Sequence, residues 1–128
     1  MTKTLPPNDA HCLSVFPELL EQFSESELRS ASVLGTYIFH EDYFAKFIAS
    51  RSSNEVMLRR FSDYIEYLAS NEDYSLRDLA EVGILEGLVS KQDHRVAPFL
   101  GPASSELVAR VLSHFDVDPK PWLNVRKR

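Results

Sequence analysis

The amino-acid sequence predicts an all-α fold, one compact bundle of about five or six helices whose successive amphipathic pairs are compatible with a helical-repeat-like stack. Three observations lead there. Apolar residues recur at three- and four-residue steps along most of the chain, and no long run alternates as a strand would. Glycine is scarce, with 4 in 128 residues, as expected of a chain poor in tight turns. A hydrophobic content of 44% is enough for one core without disulfide or metal staples.

Residues 1–12, with Pro6, Pro7, Asn8 and Asp9, show little periodicity and read as an irregular lead-in to a helical domain over 13–115. Ser14 can cap the first helix, Pro17 suits an early turn, and Phe16, Leu19, Leu20 and Phe23 form an apolar stripe. Ser24 or Ser26 caps the next helix, striped by Leu28, Ala31, Leu34, Tyr37 and Ile38. Continuing it straight through "FHED" would set Glu41 beside Leu34, Tyr37 and Ile48, a costly place for an unpaired carboxylate. A bend near His40 is therefore expected, with Glu41 or Asp42 opening a helix that carries Tyr43, Phe44, Phe47 and Ile48. The alternative is a straight helix with a paired Glu41.

Asn54 is placed to cap the clearest amphipathic segment, where Met57, Leu58, Phe61, Tyr64, Ile65 and Leu68 share one stripe and Glu66 lies opposite. Arg59 and Asp63 are spaced to pair on its wet side. In "SLRDLAEVGILEGLVS", Leu76, Ala80, Gly83, Ile84 and Gly87 cluster on one side, so the glycines form a smooth strip that invites a neighbouring helix. Val82, Leu85 and Val89 add apolar surface elsewhere, which makes this helix central. Glu86, at the edge of the strip, needs a partner. It reads either as a carboxylate satisfied by a neighbouring Arg, Tyr or amide, or as one with work to do in a groove. After a Pro- and Gly-containing loop, Leu107, Val108, Val111, Leu112 and Phe115 give the last apolar face, starting near Ala103 or Ser104. Residues 116–128 form a tail tacked down by Trp122 and Leu123.

The net charge is −5, with the acids concentrated in the first hundred residues and the C-terminal stretch net basic. An acidic body repels nucleic-acid phosphates and attracts basic proteins, although it also serves solubility. The lone Cys12 suits a reducing compartment, so the cytoplasm is expected, and no segment has the character of a signal sequence or membrane span. His40, Glu41 and Asp42 are adjacent and diverge around a helix, and His11, Cys12, His94 and His114 match no zinc spacing, so no metal is expected. Lacking a nucleophile elbow, a base-and-orienter set and a phosphate loop, the chain does not read as an enzyme, and no cofactor is expected. A rival reading makes Glu86 a catalytic carboxylate.

The order of "FPELLEQF", "ASVLGTYIFHEDYFAKFI", "LRRFSDYIEYLAS", "EVGILEGL" and "FLGPASSELV" resembles a family of small uncharacterised helical bacterial proteins. Some of them look like immunity proteins encoded beside polymorphic or contact-dependent toxins. The similarity runs over roughly residues 15–113, carried by Phe16, Pro17, Glu18 and Leu19, by Phe61, Ile65 and Glu66, and by Glu86 after its aliphatic run. Where related sequences tend to place a glycine near the bend, this chain has "FHED". The resemblance implies a cytoplasmic protein that binds and occludes a cognate toxin domain, with neither nucleic acid nor membrane as partner. Its contact surface is expected among the acids Glu41, Asp42, Glu66, Glu72, Asp73 and Asp78, with Tyr43, Tyr67 and Tyr74 as anchors. The alternative is a helical adaptor that holds a cellular protein or peptide along the Gly83 and Gly87 strip.

Overall fold

The computed structural model describes residues 5–123, which are helical and contain no strand. Eight helices follow in order: α1 (Pro7–Val15), α2 (Leu19–Gln22), α3 (Glu25–Leu34), α4, α5 (Glu55–Ala69), α6, α7 (Pro102–Leu112) and α8 (Lys120–Leu123). Helix α4 is a continuous run of three segments, Thr36–Ile38, a π-helical Phe39–Phe44 and Ala45–Arg51. Helix α6 is built the same way, from Tyr74–Asp78, a π-helical Leu79–Leu85 and Glu86–Ser90. The all-α class is as expected, with slightly more helices than the sequence pattern implied.

One of the extra helices comes from the N-terminus. Residues 7–12, read as irregular, instead belong to α1, because Pro7 enters the first turn, where its missing N–H costs nothing. Phe16 and Pro17 then turn the corner into α2. Arg60 of α5 closes that corner: its guanidinium grips Glu18 through both carboxylate oxygens, at 2.5 and 3.0 Å, and donates to the Val15 carbonyl at 2.8 Å. The same group lies 5.1 Å from the centroid of the Phe16 ring. Phe16 is fully buried and meets Phe44 and Phe61 at centroid distances of 5.1 and 5.3 Å, so the "FPEL" corner is anchored in the aromatic heart of the core.

Ser24 starts α3 with a complete capping box, accepting from the Glu27 N–H while the Glu27 carboxylate accepts from its own. Gly35 ends α3 at φ 131°, a conformation that only glycine adopts readily, and its N–H reaches the Ala31 and Ser32 carbonyls. The break in the chain therefore falls at Gly35, five residues before the bend expected at His40. Helix α4 runs on without a cap, and the Ala45 N–H bonds the His40 carbonyl five residues back. The wider turn slips the side-chain phase. Phe39, His40, Phe44, Phe47 and Ile48 are buried while Glu41 and Asp42 point to solvent, which removes the clash that a uniform α-helix would have created.

Asn54 caps α5 as expected, accepting from the Val56 and Met57 N–H groups. Arg59 pairs with Glu55 rather than Asp63 and covers the Phe99 ring at 4.8 Å. Helix α6 packs against α4, α5 and α7, the central position its all-round apolarity demands. A Cβ on Gly83 would lie 2.7 Å from Leu79 Cδ1 and 3.7 Å from His40 Cβ, so this glycine does lie where α4 passes close. Gly87 has open space instead. Beyond α7, Trp122 is buried against the body with its ring near His94.

Candidate partner-binding face

Charges and polar groups fall into two kinds of environment. At the junction of α1, α3, α4 and α5, polar side chains are buried and joined to one another. The Asp9 carboxylate, fully buried in the first turn of α1, accepts from the Ser32 and Thr36 hydroxyls, both at 2.6 Å. His40 Nδ1 lies 2.8 Å from the Thr36 carbonyl, which can only accept, so Nδ1 carries the proton. Nε2 then accepts from the Tyr64 hydroxyl at 2.8 Å, and the Cys12 side chain hydrogen-bonds the Tyr64 oxygen. Burial lowers the pKa of His40 and favours its neutral form, against the opposing pull of the Thr36 carbonyl and of Asp9. Burial likewise raises the Cys12 thiol and the Tyr64 phenol well above their ordinary values, which leaves Cys12 a poor nucleophile.

Glu66 belongs to the same partnered class. Rather than facing solvent, it reaches from α5 to the start of α7, where Oε2 accepts from the Ala103 N–H at 3.1 Å. Its Oε1 accepts from the Ser104 N–H at 2.9 Å and the Ser104 hydroxyl at 2.7 Å. A carboxylate at a helix N-terminus satisfies amides that have no partner within the helix and meets the positive end of its dipole. Gly101 makes room for it: a Cβ there would stand 2.5 Å from Glu66 Cδ.

The second environment is the outer side of α4 and α6, where acids gather without such partners. Glu41 and Asp42 are exposed on the π-helical segment of α4. Asp78 accepts the Tyr37 hydroxyl at 2.5 Å, an arrangement that, after burial, helps push the Tyr37 phenol up to about 12. Glu81 meets Arg110 of α7 at 3.5 Å. Glu86 is half-buried and, contrary to the simpler expectation, has neither a hydrogen bond nor an ion pair among the described residues. Its pKa is raised by burial first, and then by the fields of Glu81, Glu41 and Asp78, with His114 opposing.

The residues expected to bind a partner thus divide. Glu41 and Asp78 share this face with Glu86, and Asp42 is exposed next to Glu41 on α4. Glu72, Asp73 and Tyr74 are exposed at the turn into α6, with Asp73 capping it through the Ser75 N–H. Tyr43 packs edge-on against Phe23, at 5.0 Å between centroids. Tyr67 stands apart on α5, 4.8 Å from the His11 ring. Sequence reasoning missed Glu81, which lines the same cleft as Asp78. It also missed Asp9 and His40 as a buried pair, for which local sequence carries no signal.

Among the described residues, no group of three or more His, Cys, Asp or Glu side chains is arranged to hold a metal ion, and no helix is long and apolar enough to cross a membrane. Fold and surface together define an all-α domain with an internally neutralised polar interior and one acidic flank. A family model described as a domain of unknown function (DUF7674) matches residues 10–115, and the chain belongs to that family. Neither a curated protein nor a solved structure matches the chain.

Proposed function

We propose that the protein acts by binding a basic protein partner through the α4 and α6 flank, and that the partner is a toxin domain which it occludes. One observation carries the binding reading. Glu86 stays half-buried and unpartnered among like charges, whereas the acids of the interior and of Glu66 are each matched to donors. Holding a carboxylate in such a field is unfavourable in the free protein, and a cation delivered by a partner relieves it. Exposed Tyr74, at the start of α6 and on the same cleft as Asp78 and Glu81, supplies the kind of large amphipathic side chain that anchors interfaces. The net charge of −5 steers a basic partner toward the complex and speeds association at low salt.

That the partner is a toxin rests on the resemblance of the chain's segment order to immunity-like proteins. Binding in the cytoplasm without catalysis or a cofactor is the mode such a role requires. Co-expression with a toxin domain encoded beside the gene tests it: restored growth and a stoichiometric complex are expected, and the absence of both removes the proposal. The open surface at Gly87 favours a second reading, an adaptor that receives a peptide along α6. A partner that binds through Gly87 and tolerates reversal of the acids would select that reading.

A further inference from the structure

A cleft of about 300 Å³ opens between the end of α5, the start of α6 and α7. Its walls include Tyr74, Arg77, Asp78, Glu81, Glu106 and Arg110. Two guanidinium groups of the protein itself already lie here. Arg77 stands over the Tyr74 ring at 5.5 Å, and Arg110 approaches Glu81 at 3.5 Å. The second contact is mismatched: the Glu81 side chain is 13% exposed, but the Arg110 side chain that serves it is 62% exposed and beyond hydrogen-bonding distance. Asp78 gives one oxygen, Oδ2, to Tyr37, and among the described residues Oδ1 has no donor. Tyr74 is 63% exposed, so its ring has free area beyond what Arg77 covers.

We infer that this cleft is a receptor for an arginine side chain of the protein partner, which rests on the binding reading above. The incoming guanidinium displaces Arg110 from Glu81, bonds the Glu81 and Asp78 carboxylates together, and stacks on Tyr74. Asp78 and Glu81 both line the cleft from α6. A planar fork of five N–H donors matches two neighbouring carboxylates, and it gains from an aromatic face, which a lysine ammonium matches less well. Arg110 acts as a placeholder that keeps Glu81 neutralised until the partner arrives, and Glu106 at the rim adds field without closing the entrance.

The test needs no partner. Arginine amide is titrated into isotopically labelled protein and followed by amide chemical shifts, with lysine amide and sodium chloride at matched ionic strength as controls. Saturable shifts at Tyr74, Asp78 and Glu81 in the millimolar range are expected for arginine amide and weaker ones for lysine amide. Glu81→Gln and Tyr74→Ala, each checked for an unchanged spectrum elsewhere, should weaken binding by about tenfold, and Arg110→Ala should tighten it by about threefold. Shifts that fail to saturate, that sodium chloride reproduces, or that survive Glu81→Gln overturn the assignment. So does weaker binding in Arg110→Ala. An inert cleft together with a captured protein partner would reject this site alone, whereas a responsive cleft with no protein partner would reject the function proposed above and leave the site standing.

Discussion

The junction around Asp9 and His40 and the flank around Glu81 and Glu86 are both rich in ionisable groups, and they treat them in opposite ways. At the junction, each ionisable group is buried and answered: Asp9 by two hydroxyls, neutral His40 by a carbonyl and a phenol. On the flank, acids on neighbouring helices raise one another's energy, and the cation paired with Glu81 is a largely exposed arginine. The contrast separates charges that build the fold from charges that the fold merely tolerates. A buried group without a donor costs stability, so selection for folding alone gives no reason to assemble the flank. The binding proposed above would supply one.

Breaking the junction should have the largest effect. Asp9→Ala strands the Ser32 and Thr36 hydroxyls inside the core, and a loss of about 3 kcal/mol or more is expected in urea unfolding. A change below about 1 kcal/mol would mean that the network contributes little. The Glu66 cap is next in size. Glu66→Ala should cost roughly 1–2 kcal/mol by leaving the α7 amides uncapped. Gly101→Ala should also destabilise the native protein, because its Cβ meets the Glu66 carboxyl, yet cost little when Glu66 is already Ala. Additive losses in that double-mutant cycle would refute the steric coupling.

pH dependence sharpens the comparison further, because the two regions carry opposite signs. The lowered pKa of His40 means that the folded state binds its proton less readily than the unfolded chain. That part of the stability is complete above the unfolded value near 6.5 and is lost as pH falls below it, with Asp9, Cys12 and Tyr64 as the groups facing the ring. His40→Gln should flatten the acid limb of the stability curve below about pH 6.5. Glu86, with its pKa raised, does the reverse: its contribution is favourable at low pH and is lost as pH rises through the folded value. Glu86→Gln should therefore stabilise the protein at pH 8 by something on the order of 0.5 kcal/mol at low salt, less at high salt, and not at pH 4. This is the smallest effect, and a loss of stability at pH 8 would show that Glu86 has a partner after all.

Local signals in the sequence accounted for much of the scaffold. The Ser24 cap, one of the two expected, the Asn54 cap and the stripe of α5 are decided by residues within a turn of one another, and each is found in the structure. The π-helical segments were hidden because helical periodicity assumes a constant angle per residue. The conflict at Glu41 was a true signal read as a bend, when the chain resolved it by widening one turn. Glu66 and Asp9 escaped for a different reason. Their partners lie 37 and 38 residues away on α7 in one case and 23 and 27 away on α3 and α4 in the other, so only the assembled fold reveals them. On the flank, Glu41, Asp42, Tyr74 and Asp78 could be selected as exposed acids and aromatics. The convergence of Asp78 with Glu81 and Arg110 depends on how α6 and α7 pack.

The most direct test of the division between the two regions is a binding measurement with paired charge reversals. Glu41→Lys with Glu86→Lys alters the flank, and Asp63→Lys with Asp116→Lys applies the same change of charge at exposed sites elsewhere. Affinity for a basic partner co-purified from the native source should fall by about a hundredfold for the flank pair and by less than about threefold for the other. Equal losses from both pairs would reduce the flank to a share of the overall charge, and undiminished binding by the flank pair would contradict its role outright.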